Sequence, residues 1–283
     1  MVGIRCCVLL LVALCAGCTQ APLQATRTTT SPASPTSMSP ASMSPASAIS
    51  ASADPTRTKP ISSPPRPSAP PSTPGAAGQV PPVSAKARAA GLIDVRTIVP
   101  DAIIDLRYAT SNNFVHVRLY PANARCLVHE SMAAGLREAA TRVRGQGDVL
   151  VFWDCYRPHA VQVRMFQIVP NPAWVARPGP YARSHEAARS VDVTLARAAT
   201  GVACATQRID GHCLLDMGTR FDDFTSRAHA FATDGVSARA QSNRAILRSA
   251  MNAGGIEVYS GEWWHFDGPG AFVHRPLLDV PVD

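Results

Sequence analysis

Three short segments of this chain hold the residue types of a single-metal hydrolase. They are Asp154-Cys-Tyr-Arg-Pro158, Ser184-His185 with Asp192 seven residues after the histidine, and Glu262-Trp-Trp-His265. Two imidazoles, His185 and His265, and one carboxylate, Asp192, can bind a Zn2+ ion and leave its fourth position open, as catalytic rather than structural zinc requires. A second carboxylate, Glu262, can act as the base, and Arg157 can hold a developing negative charge. Together they fit metal-assisted hydrolysis of a peptide bond.

The spacing dictates how the chain must fold to bring these groups together. On a helix, His185 and Asp192 would lie about 10 Å apart along the axis. On a straight strand they would be roughly 20 Å apart and on opposite faces. The chain between them therefore has to fold back, with His185 on a loop and Asp192 on the strand Val191–Leu195. Glu262 and His265 are three apart and would point opposite ways on a flat strand. A turn or bulge at Gly261–Trp263 is needed, and Gly261 permits one.

The surrounding pattern predicts the elements that do this. Asp101–Tyr108 reads as a strand, and Asp148–Tyr156 as a buried strand. A helix begins at Ser131, with Met132, Leu136, Ala140 and Val143 on one face, and stops at Gly145. Pro158 suits the first position of a second helix, continued by Val161, Met165 and Ile168. Residues 171–179 form a proline-rich loop, and Ser190–Ala196 a strand. A long helix runs Ser237–Ala253 and ends at Gly254-Gly255. Ile256–Tyr259 and Trp263–Asp267 are strands. Helices and strands mix without regular alternation, which predicts a single α+β domain with a largely antiparallel central sheet flanked by helices.

The first 90 residues read differently. Arg5 precedes an apolar run, Val8–Ala16, that is too short to span a bilayer. The run ends in Leu14-Cys-Ala-Gly-Cys18, which resembles a bacterial lipoprotein cleavage box, with Cys15 where an aliphatic or small residue is more usual. Residues 1–17 are expected to be a lipoprotein-type signal and Cys18 the lipidated residue; an ordinary secretory signal is the alternative. Fifteen of the 25 prolines fall between Pro22 and Pro82, and no Phe, Trp or Tyr precedes Tyr108. Residues 18–90 therefore lack the apolar surface to offset backbone entropy and read as a disordered Pro/Ser/Thr/Ala-rich tether; a glycosylated stalk has the same composition. The folded domain is expected over 91–283. The protein would be exported and held at a membrane by its lipid, facing the periplasm or the cell exterior.

The net charge of +7 rests on arginine, since Lys59 and Lys86 are the only lysines. No basic helix with interleaved aromatics occurs, which excludes a nucleic-acid partner. Cys126, Cys155, Cys204 and Cys213 fall in the domain. Their even number fits two disulfides in an oxidising compartment. Of three pairings, Cys204–Cys213 with Cys126–Cys155 is favoured, and four free buried thiols is the alternative.

Further segments complete a pattern: Asp105-Leu-Arg-Tyr-Ala-Thr110 with Asn113-Phe114, Val191-Asp192-Val-Thr-Leu195, Met217-Gly-Thr-Arg-Phe-Asp222, Asn243-Arg244 and Glu262-Trp-Trp-His-Phe266. With the segments above, in this order and approximate spacing, the chain from about Ile93 to Phe266 resembles the VanX-type D-alanyl-D-alanine dipeptidases. That resemblance implies one Zn2+ held by His185, Asp192 and His265, with Glu262 as acid/base and Arg157 steadying the oxyanion. It implies a small-dipeptide site lined by Ser184, Asp222 and Tyr108, with Asp222 suited to the free ammonium. The chain departs from the family's usual Ser-x-His-x-x-Gly, carrying Arg183 for the serine and Ala188 for the glycine. Alanine is poor where a turn needs positive φ, so a changed loop path is expected, with Arg183 and Arg189 altering the pocket. Hydrolysis of D-Ala-D-Ala or a related dipeptide in cell-wall peptide turnover is the expected function. A peptidoglycan carboxypeptidase or endopeptidase, acting on cell-wall peptides, and a non-catalytic zinc-stabilised wall-binding module are the alternatives.

Overall fold

The computed structural model describes residues 80–283 apart from Val202. The expected signal over 1–17, Cys18 and the tether up to residue 79 lie outside the described residues. Folded structure starts before residue 91, which corrects the expected boundary. Helix α1, Ala85–Ala89, is capped by Ser84, whose side chain accepts from the Ala87 amide, and Ala87 is buried. Arg125 donates to the Pro81 and Pro82 carbonyls. Polar composition alone hid this turn, because one buried alanine and a backbone-binding arginine suffice to hold it.

Strand β1 (Leu92–Asp94) pairs antiparallel with β3 (Leu127–His129) in a small sheet. The main sheet is built around β5, Ser190–Ala198. Its alternation sends Val191, Val193 and Leu195 into the core and Asp192 to the other face. On one side β5 pairs antiparallel with β4, Asp148–Asp154. On its other side the first half pairs with β9 (His265–Asp267) and the second half with β7 (His212–Leu214). Strand β6 (Arg208–Ile209) extends β7, and β8 (Glu257–Val258) extends β9. Strand β2 (Ile103–Ile104) supplies the one parallel pairing among the described residues, to β4. The sheet is therefore largely antiparallel and the domain α+β, as expected.

Helices α2 (Ala133–Arg144) and α4 (Ala238–Ala253) cross closely. At that crossing Gly135 meets Gly254, where a Cβ on Gly135 would stand 2.3 Å from the Gly254 carbonyl oxygen. Leu136, Ala140 and Val143 from α2 and Leu247, Ala250 and Met251 from α4 fill the core. Helix α3, His159–Ile168, starts after Pro158, which caps it rather than opening it.

Four strands are shorter than expected, Asp148–Tyr156 and Ile256–Tyr259 being trimmed only at their ends. Asp101–Tyr108 contributes only Ile103–Ile104 to the sheet before turning into a 3-10 segment, Arg107–Ala109. The Asn113 side chain fixes this turn by donating to the Thr110 and Val117 carbonyls at 2.8 and 2.9 Å. Trp263 and Trp264 lie in the turn before β9 rather than in it, both fully buried.

Cys126–Cys155 and Cys204–Cys213 are bonded, spanning 29 and 9 residues. No helix among the described residues is long and apolar enough to cross a membrane.

Candidate metal centre and active-site cavity

Sheet register places the site. Across three adjacent strands Asp154 pairs with Asp192, and Asp192 with His265. His185 comes from a 3-10 turn, Ser184–Ala187, just ahead of β5. Ala188 closes that turn at φ 56° and ψ 28°. The turn is thus made with a left-handed alanine, its side chain buried. Glu262 sits in the turn joining β8 and β9. A Cβ on Gly261 would come within 2.6 Å of the ring of Tyr259, an exposed side chain that would have to move aside.

These elements bring three lone-pair donors to one point. His185 Nε2 lies 3.1 Å from His265 Nδ1 and 3.3 Å from Asp192 Oδ1. His265 Nδ1 lies 3.0 Å from the same oxygen. Ligands set tetrahedrally at about 2.0–2.1 Å from zinc stand about 3.3 Å from one another, so this triangle has the right edges. The outer nitrogens fix the tautomers. His185 Nδ1 is 2.8 Å from the Cys155 carbonyl, which can only accept, so His185 Nε2 carries the lone pair. His265 Nε2 donates to Asp267 Oδ1 at 3.2 Å, which leaves the lone pair on Nδ1. Two lone pairs and a carboxylate facing each other call for a cation. Burial opposes a charged His265, but hydrogen bonds to Asp192 and Asp267 outweigh it and raise its pKa well above the ordinary value. A proton and a metal ion are drawn by the same charges, and the donor set fits Zn2+.

The triangle lies on the wall of a cavity of about 370 Å3 that also contains Arg157, Glu262, Ser184, Asp222 and Tyr108. Every residue predicted for metal binding, catalysis or substrate contact therefore meets in one place. Burial is the main cause of a raised Glu262 pKa. The Arg157 guanidinium is anchored by Nε and Nη2 on Asp154 Oδ2, at 3.1 and 2.7 Å, and by Nη1 on Gln162 at 2.8 Å. Three of its five N–H donors are used in this way and two remain. Burial opposes that cation most strongly, but Asp154 together with Tyr108, Tyr120 and Asp192 outweighs it and holds the pKa well above its ordinary value. Tyr108 donates to Asp222 at 3.1 Å. Burial, then the charges of Asp192 and Glu262, raise the Asp222 pKa well above the usual range. Ser184 Oγ is 3.5 Å from His265 Nε2.

The two unassigned family-like segments hold this wall in place. Arg244 is fully buried and donates to the Met217 and His229 carbonyls, while Asn243 donates to Asp216. Together they pin the loop that carries Asp222. Arg183 lines the cavity, but Arg189 turns away to the Pro269 carbonyl and His129, which corrects the expectation that both would reshape it.

Sequence reasoning missed several contributors. Asp154 began a quoted motif without a role, yet it is fully buried and also accepts from Tyr120 at 2.6 Å and from the Cys155 amide at 2.9 Å. Asp267 was detectable, since it is two residues after His265 and a strand puts both on one face. Gln162 and the stacked Trp174–Phe224 pair, 5.2 Å apart at the cavity wall, carried no local signal.

Residues 88–283 match the peptidase M15 family described as D-ala-D-ala dipeptidase. The chain is 33% identical to the D-alanyl-D-alanine dipeptidase of Escherichia coli K12 over 188 residues, 66% of this chain and 90% of that protein. It is 32% identical to the D-alanyl-D-alanine dipeptidase of Enterococcus faecium over 201 residues, 63% of this chain and 91% of the relative. A third relative of the same name, from Streptomyces coelicolor, is 35% identical over 181 residues, 57% of this chain and 83% of its own length. On the family match and these relatives, this chain belongs to the peptidase M15 D-ala-D-ala dipeptidase family.

Proposed function

We propose that this protein is a zinc-dependent dipeptidase that hydrolyses D-Ala-D-Ala or a closely related D-amino-acid dipeptide in cell-wall peptide turnover. The observation that carries this reading is the His185–Asp192–His265 triangle on the wall of a cavity shared with Glu262, Arg157 and Asp222. A merely structural zinc site needs neither a general base nor an arginine with free donors.

His185, Asp192 and His265 would hold the zinc. Bound there, zinc supplies a Lewis acid and a water of lowered pKa. Glu262 takes a proton from the attacking water and passes it to the leaving amine. The two remaining Arg157 N–H groups meet the oxygen that becomes negative, a contribution of about 2.7–4 kcal/mol where such a donor is lost. Asp222, oriented by the Tyr108 hydroxyl, receives the free ammonium of the dipeptide. Ser184, whose Oγ lies 3.5 Å from the outer nitrogen of His265, lines the dipeptide site.

Export and lipid anchoring through Cys18 belong to this proposal. The short apolar run ending at Cys18 and the two disulfides support them. The direct test is release of free D-alanine from D-Ala-D-Ala by the zinc-loaded protein, beside Glu262→Ala. Turnover by the first and none by the second is expected. Turnover that survives Glu262→Ala, or zinc-loaded protein that leaves the dipeptide intact, would overturn the reading.

A further inference from the structure

Two guanidinium groups in the cavity have no acidic partner. Arg177 and Arg183 both line it and both are exposed, and among the described residues neither takes part in an ion pair or a side-chain hydrogen bond. Another carboxylate in the same wall, Glu186, is already held by His159 at 2.7 Å. Arg275, close by in the fold, is committed to the Gly270 and Val273 carbonyls. Arg183 is nevertheless well positioned. The Ala182 amide and carbonyl both pair with Arg275, and the Ser184 amide donates to Ala271 at 2.8 Å, so the backbone on either side is fixed.

The cavity is polarised. Its contacts run in series from Asp222 through Tyr108, Arg157, Asp154 and His185 to His265 and Ser184. The acidic trap for the ammonium stands at one end of that series. Arg183 directly precedes Ser184 at the other end, and Arg177, its guanidinium 5.4 Å from the Phe166 ring, lines the same cavity. A simple dipeptide brings only one carboxylate into the cavity, so one of the two guanidiniums stays unmatched.

We propose that Arg183 and Arg177 make this site selective for dipeptides whose C-terminal residue carries a second carboxylate, such as D-Glu or D-Asp. The inference rests on the dipeptidase reading above and deepens it. One guanidinium meets the terminal carboxylate and the other the side-chain carboxylate. Both arginines are partly in solvent, which limits each ion pair to about a fivefold effect, and salt weakens it further.

D-Ala-D-Glu and D-Ala-D-Gln are nearly isosteric and differ in that one charge. The wild-type protein should hydrolyse the glutamate dipeptide with kcat/KM about fivefold above the glutamine one. Arg183→Gln and Arg177→Gln should shrink that ratio toward unity without altering thermal stability, since both side chains are exposed. The same comparison by calorimetric binding to zinc-loaded Glu262→Gln needs no turnover. A binding preference without hydrolysis in the wild type would uphold this inference and sink the dipeptidase reading. Equal handling of the two dipeptides, or a ratio that survives both substitutions, would overturn the inference while leaving D-Ala-D-Ala hydrolysis standing.

Discussion

Replacing Asp154 separates its two roles, holding the fold and aiming Arg157. Its side chain is 0% exposed and gathers four donors: the Tyr120 hydroxyl, the Cys155 amide, and Nε and Nη2 of Arg157. Asp154→Ala leaves a buried guanidinium without its counter-ion, a defect worth about 3–5 kcal/mol. For a domain of this size each kcal/mol moves the melting temperature by about 2–4 °C, so a fall of about 6–20 °C is expected by circular dichroism. Asp154→Asn is subtler. One amide oxygen still accepts from Tyr120 and Cys155, while the amide nitrogen now faces the Arg157 donors. The fold should lose less, but Arg157 keeps only Gln162 and swings off its aim. A loss of about 100-fold in kcat/KM for D-Ala-D-Ala is expected, approaching that of removing the oxyanion donor itself. The loss should fall on kcat more than on KM, because the interaction matters most in the transition state. Wild-type kcat/KM in a folded Asp154→Asn protein would refute the claim that this carboxylate positions Arg157.

Two further outcomes follow from features outside the cavity. Burial opposes the Asp94 charge, but hydrogen bonds from Arg96 and Arg125 outweigh it and hold its pKa below 3.8. A carboxylate depressed on folding stabilises above its unfolded pKa and loses that stabilisation as pH falls through the folded value. Acid unfolding of the wild type should therefore steepen below about pH 3.8, and Asp94→Asn should be less stable at neutral pH with a flatter acid limb. The Cys126–Cys155 bond spans 29 residues, and its loss in a double serine variant should cost about 3–4 kcal/mol in chemical denaturation. Because the Cys155 carbonyl orients His185, that variant should also bind zinc more weakly, whereas loss of Cys204–Cys213 should leave zinc affinity unchanged.

The ligands and Glu262 were legible because their chemistry is rare and their spacing forced a fold-back that the structure makes. The α+β class was legible from the mixed pattern of elements, and the long helices from their caps, such as Ser237. What stayed hidden depends on partners distant in sequence. Nothing near Asp154 announces that Tyr120 and Arg157 will meet on it. The left-handed alanine at 188 contradicts a sound local rule, because its surroundings fix the turn: the Ala188 carbonyl accepts from His129, and its amide returns to His185. The helix at 85–89 was missed because apolar content, not backbone capture by Arg125, was the available signal.

The row Asp154, Asp192, His265 across β4, β5 and β9 ties the candidate metal site to strand alignment. A one-residue slip in either pairing would send Asp192 or its neighbour to the opposite face of the sheet. A zinc ion held there would therefore bind only the correctly aligned chain and would stabilise that alignment over every slipped one in proportion to its affinity. Beyond any part in chemistry, the ion would act as a proofreader of sheet assembly, widening the gap between the native pairing and its nearest competitors.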